Sequence, residues 1–171
     1  MRTFPGNKPN LIQAQPSAPF SGRDLGLFLL VFVSYVISAR LELRLIHSQT
    51  SMGVIWLPAG IALAAFLLRG RSMLPVIYLA SLCVELISSV PLLGALTIAA
   101  GNMAEVLLAG YLVNRFAGGS KTFSRPADVL RFSVAGALAT LVSAIVGTSV
   151  VASPAGLDRP EALTIFAAWW A

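Results

Sequence analysis

The sequence predicts an all-α protein, a polytopic bundle of transmembrane helices with five complete spans and the start of a sixth. Three observations lead there. Hydrophobic residues fill 57% of the 171 positions and charged residues only 11%, against roughly 25% charged in soluble domains. Mean hydropathy is +0.82. The charges fall between long uncharged runs, as they do when loops and helices alternate across a bilayer.

Residues 1–24 carry Pro5, Pro9, Pro16 and Pro19 among polar side chains. Such a stretch cannot bury enough apolar surface to order itself and reads as a disordered cytoplasmic tail. Leu25–Ala39 gives fifteen uncharged residues, and the helix can continue through Arg40, Glu42 and Arg44 to Ile46 as a first span.

The second span is the most informative. Met52–Leu68 holds seventeen residues without a charge and stops at Arg69 and Arg71. At about 1.5 Å per residue it spans roughly 25 Å, near the lower limit for a crossing. Trp56 near one end and Arg69 and Arg71 at the other are expected to anchor it at the two interfaces. Pro58 and Gly60 fall inside the run and mark a helix irregularity, which membrane helices tolerate when neighbours satisfy the freed carbonyl.

Ser72–Val90 is the third span, interrupted only by Glu85, and a short turn at Ser88–Pro91 leads to a fourth, Leu92–Val113, containing Glu105. Arg115–Arg131 reads as a connecting segment broken by Gly118-Gly119. Phe132–Ala152 is the fifth span, followed by a loop over Ser153–Glu161. Ala162–Ala171 is apolar, but ten helical residues reach only about 15 Å. The sequence therefore looks cut inside its sixth span.

With the amino terminus in the cytoplasm and every span crossing, nine of the twelve lysines and arginines lie inside; Arg40, Arg44 and Arg159 lie outside. That asymmetry sets the expected orientation. The net charge of +5 does not signal nucleic acid, because the basic residues form no patch with interleaved aromatics. The single cysteine, Cys83, supplies neither a disulfide framework nor a thiolate metal site. His47 has no companion ligand, and no cofactor is expected.

Glu85 and Glu105 are the only carboxylates inside the predicted spans. Each costs about 2.5–3.5 kcal/mol if ionised at the bilayer centre. Counted from the inner charges, they lie roughly 20 Å and 15 Å deep. Asn102 shares the helical face of Glu105 and falls near the level of Glu85 on the next, antiparallel span. Glu85, Asn102 and Glu105 thus form a candidate polar cluster, either a site that senses a proton or ligand or simply interhelical hydrogen bonding. In the fifth span Ala135, Ala139, Ser143 and Gly147 make one row of small residues, and Gly136, Thr140, Ala144 and Thr148 a second, a face suited to close helix packing.

Gly119-Ser120-Lys121-Thr122 lacks the upstream glycine and strand of a phosphate-binding loop. Glu161-Ala162-Leu163 lacks the soluble barrel in which that tripeptide acts in cyclic-dinucleotide phosphodiesterases. No nucleophile–base set is present, so this stretch is not expected to be an enzyme.

Trp56-Leu57-Pro58-Ala59-Gly60-Ile61-Ala62-Leu63-Ala64-Ala65, ending Leu68-Arg69-Gly70-Arg71, resembles the second helix of the first of the membrane-associated sensor (MASE) domains. Gly101-Asn102-Met103-Ala104-Glu105 is similar to that family's Gly-Asn…Glu stretch. Asp128-Val129-Leu130-Arg131-Phe132 resembles its segment before a helix, and Trp169-Trp170 the start of its Trp-Trp-x-Gly-Asp helix. The resemblance covers roughly residues 25–171. It implies an integral sensory domain of about eight helices in the bacterial inner membrane. A cytoplasmic output in the same chain, a histidine kinase or a cyclic-di-GMP enzyme such as a diguanylate cyclase, would follow it. The partners implied are the lipid bilayer, an unidentified small-molecule or physical stimulus, that output domain and a second copy in a homodimer. The alternative is a small membrane transporter or its substrate-binding subunit, which the irregular helix and buried carboxylates also suit.

Overall fold

The computed structural model describes residues 22–47, 56–155 and 158–170. The tail over residues 1–21 and the opening of the second predicted span at residues 52–55 lie outside the described residues. Six α-helices follow in order: α1 (Gly22–His47), α2 (Leu57–Arg69), α3 (Leu74–Ile87), α4 (Leu92–Phe116), α5 (Pro126–Ala155) and α6 (Arg159–Trp170). Two 3₁₀ turns, Gly70–Met73 and Gly119–Ser124, join α2 to α3 and α4 to α5.

Among the described residues, four stretches are long and apolar enough to cross a membrane: Asp24–Leu45, Leu57–Ile87, Leu92–Phe116 and Pro126–Ala152. Sequence reasoning counted five complete spans; the difference lies in the second stretch. It comprises α2 and α3, of 13 and 14 residues, each shorter than the ~20 residues that a full crossing takes. Three contacts trace its path. The Leu57 N–H donates to Glu42 near the end of α1, Arg69 pairs with Asp24 at the start of α1, and Arg40 donates to Ser88 just past α3. The chain therefore runs back along α1 in α2, reverses at Gly70 and returns in α3. Gly70 has φ 71° and ψ −151°, a backbone conformation open to glycine and strained for residues with a Cβ.

The irregularity expected inside the second span is thus at its end. α2 is continuous from Leu57 to Arg69, and Pro58 occupies its first turn, where a missing N–H removes no intrahelical bond. Gly60 is exposed, and an added Cβ there would meet nothing within 4 Å.

α3 closes with Ser89 N–H on the Leu86 carbonyl and Val90 N–H on the Glu85 carbonyl, both 3.1 Å. This is a Schellman ending, with Ser89 at φ 64° where glycine is usual. At the other breaks the helices exceed the predicted spans. α5 begins at Pro126 rather than Phe132, since proline is preorganised for the first helical position. It runs on through Pro154 to Ala155, into the predicted loop. α6 starts at Arg159 behind a capping box: Glu161 N–H donates to Asp158 Oδ1 (2.9 Å) and Asp158 N–H to Glu161 Oε2 (3.2 Å).

α1, α2, α4 and α3 form a ring of four in that spatial order. α1 packs on α2 and α3, and α4 packs on the same two. The sequence neighbours α2 and α3 sit at opposite corners. α5 lies outside the ring against α4, and α6 lies against α5. The main core fills the ring with Val31, Tyr35 and Ala39 of α1, Ala62 and Phe66 of α2, Ile77, Ala80 and Val84 of α3 and Val106 of α4. A second cluster of Val113, Ala117 and Ala135 seals α4 to α5 at the end nearest Arg69.

Small residues set the α4–α5 spacing. A Cβ at Gly101 would come within 2.9 Å of Val146, and one at Gly94 equally close to Val150. The row Ala135, Ala139, Ser143 and Gly147 is buried throughout. The outer faces carry large apolar side chains, among them Leu29, Leu30, Val33, Ile37 and Leu41 of α1, each about half exposed or more. Lipid is the solvent in which such a surface is stable.

A buried polar site inside the four-helix ring

Each wall of the ring contributes to a small polar site. On α1, Val31, Tyr35, Ala39 and Glu42 are buried in succession, at the spacing of one helical face. This stripe turns the Tyr35 ring inward. On α3, Ser81 lies one turn before Glu85; on α4, Asn102 lies one turn before Glu105.

Asn102 Nδ2 donates to Ser81 Oγ at 2.8 Å, fastening α4 to α3. The Tyr35 hydroxyl is buried beside Ser81 and Asn102, in the field of Glu105 and, less strongly, of Glu85. Glu105 is 8% exposed, and Ser143 of α5, whose hydroxyl donates to the Thr140 carbonyl at 3.2 Å, lies beside its carboxyl. Its carboxyl therefore lies between the ring cavity and the helix packed outside it.

Between these groups is a cavity of about 10 Å³, lined by Tyr35, Trp56, Asn102 and Glu105, with Ala59 and Ala62 of α2, Ile77 of α3 and Val106 of α4 as its apolar wall. That is room for about one water molecule. Glu105 is the one charged residue that lines the cavity, and no lysine, arginine or histidine does.

Of the residues singled out in the sequence, Asn102 and Glu105 line this cavity together. Glu85 stands one turn from Ser81, half-buried, and does not line it. Trp56 adjoins the cavity and packs against the core, so its ring serves the interior as well as any interface. Arg69 pairs with Asp24 at 3.4 Å, and Arg71 is exposed. Pro58 is buried in the first turn of α2, and Gly60 faces outward. Among the described residues, no group of three His, Cys, Asp or Glu side chains is placed to hold a metal.

Residues 25–171 match the MASE1 family. The chain belongs to the MASE1 family. MASE1 is a family of membrane sensory domains, not a catalytic one, and its match covers every helix from α2 to α6 and nearly all of α1. No curated protein and no solved structure matches the chain.

In this MASE1 domain, sequence reasoning missed Tyr35, Ser81, Ser143 and Glu42 as polar participants. Tyr35 and Glu42 were recoverable from the α1 stripe, since a tyrosine and a carboxylate in phase with Val31 and Ala39 mark an inward face. Glu42 is 4% exposed, and its Oε1 accepts the Leu57 N–H at 2.8 Å. Nothing in the spacing of serines separates Ser81 and Ser143 from their neighbours. Only the partner helix identifies them.

Proposed function

We propose that this MASE1 domain is the sensory input module of a bacterial signalling protein, relaying a stimulus through its helices to a cytoplasmic output domain in the same chain. Glu105 carries the reading, because one buried carboxyl touches both the ring cavity and α5. Any change in its partners alters the fit of α4 against α5, and a stimulus can drive the domain only through its different affinity for two such packings.

α1 to α5 each cross the bilayer in this reading, with the α2–α3 stretch making two short crossings joined at Gly70. The charges support the orientation. Arg69, Arg71, Arg115, Arg125 and Arg131 belong to the end that holds the start of α1, and Arg40, Arg44 and Arg159 to the other. The amino terminus is then cytoplasmic, in the inner membrane. Trp56, Arg69 and Arg71 act as interface anchors, and Glu85 extends the sensing cluster of Asn102 and Glu105.

The test is output activity of the full-length protein across its stimulus range and across pH, comparing wild type with Glu85→Gln, Glu105→Gln and Ser143→Ala. The two changes at the α4–α5 contact are expected to shift the response without abolishing membrane insertion. Responses identical to wild type in Glu105→Gln and Ser143→Ala would remove the relay. Solute uptake by vesicles containing the protein, with no regulated output, would instead support the transporter.

A further inference from the structure

We infer that the ring cavity is a binding site for a single small monovalent cation of about water size, held by Glu105. The inference deepens the sensory reading and rests on it for its biological meaning, but the binding itself is a separate property.

The lining selects the sign of charge. Glu105 supplies a carboxylate and Asn102 an amide whose nitrogen already donates to Ser81, leaving its oxygen with acceptor capacity. Tyr35 also lines the cavity and brings a hydroxyl oxygen near these two acceptors. No basic side chain lines it, so an anion would find a carboxylate and no counter-charge.

The volume selects the size. About 10 Å³ accommodates one water-sized species and excludes organic amines and hydrated ions. An ionised carboxylate inside the membrane is costly, and a cation beside it offsets that cost. Sodium, potassium and ammonium share this chemistry.

The experiment uses full-length protein in phosphatidylcholine nanodiscs, held at constant ionic strength with choline chloride. Sodium, potassium or ammonium chloride then replaces the choline stepwise. Trp56 is the reporter, and Trp56→Phe gives the background from all other tryptophans. A saturable fluorescence change is expected with at least one of the three cations and none with choline. Glu105→Gln is expected to weaken it at least tenfold, and Glu161→Gln, at the start of α6, to leave it unchanged. Ala59→Val narrows the cavity while keeping the carboxylate and should also suppress binding, which covers the case in which Glu105→Gln fails to fold.

No saturable change with any of the three cations, or equal binding by Glu105→Gln, would overturn the site and leave the cavity to water alone. Binding without any effect of the same cation on output would uphold the site and remove the cation as stimulus. Regulated output with no cation binding would overturn the site and leave the sensory reading standing.

Discussion

The Glu42 carboxylate accepts the backbone N–H of Leu57 at 2.8 Å and so ties the first turn of α2 to the last turns of α1. This is a cap supplied from another helix: Trp56, the residue before α2, makes no side-chain cap bond of its own. Glu42→Ala is expected to destabilise the protein by about 0.5–2 kcal/mol, the range for losing an N-terminal cap. Glu42→Gln keeps an acceptor and should cost less. Unfolding by SDS in mixed micelles measures both; equal losses in the two variants would show that charge, not the hydrogen bond, matters.

The Asn102–Ser81 bond can be isolated by a double-mutant cycle with Asn102→Ala and Ser81→Ala. Interhelical hydrogen bonds in membranes average about 0.6 kcal/mol and reach about 1.7. A coupling near the upper figure is expected here, because the bond is short at 2.8 Å and Ser81 is 1% exposed. Coupling near zero would make the two residues independent.

Three glycines should respond differently to alanine. At Gly110 a Cβ would collide with the Phe66 ring, and overpacking of this kind costs about 1–3 kcal/mol; Phe66→Leu should restore part of the loss. At Gly70 space is open but φ is 71°, so alanine should cost at least about 1 kcal/mol through backbone strain. At Gly60 neither obstacle exists, and alanine should be neutral or stabilise α2 by up to about 1 kcal/mol. Thermal unfolding of the three variants side by side checks the ranking.

Ser89 occupies the left-handed position of a helix ending that glycine fills at least cost. Ser89→Gly is expected to stabilise the protein by about 1 kcal/mol, read as a raised midpoint in the same assay. A lowered midpoint would mean that the serine side chain contributes more than its backbone strain removes.

Much of the fold was legible because apolar runs and their bounding charges are governed by the bilayer. The start of α3, the turn at Ser88–Pro91 and the extent of α4 follow the sequence closely. The misread boundaries have two causes. The start of α5 was placed after the charges that end at Arg131, whereas the helix begins at Pro126. The loop over Ser153–Glu161 was read across Pro154 and Pro160, of which Pro160 lies in the first turn of α6, where proline is well tolerated. The arrangement of the site was less legible. Spacing placed Asn102 and Glu105 on one face, yet Asn102 meets Ser81 rather than Glu85. Helical pitch fixes the direction of each side chain, but the depth offset between antiparallel helices depends on the turn that joins them.

Placing α2 and α3 at opposite corners has a consequence for biogenesis. A ribosome delivers α1, α2 and α3 to the membrane before α4, so the nascent domain first exists as an open three-sided trough. Tyr35 and Ser81 then line that trough with neither Asn102 nor Glu105 yet present to meet them. Only when α4 enters opposite α1 does the ring close and the polar interior leave lipid. Assembly of this domain is thus expected to commit late, on a helix that must arrive by translation and dock by lateral movement within the bilayer.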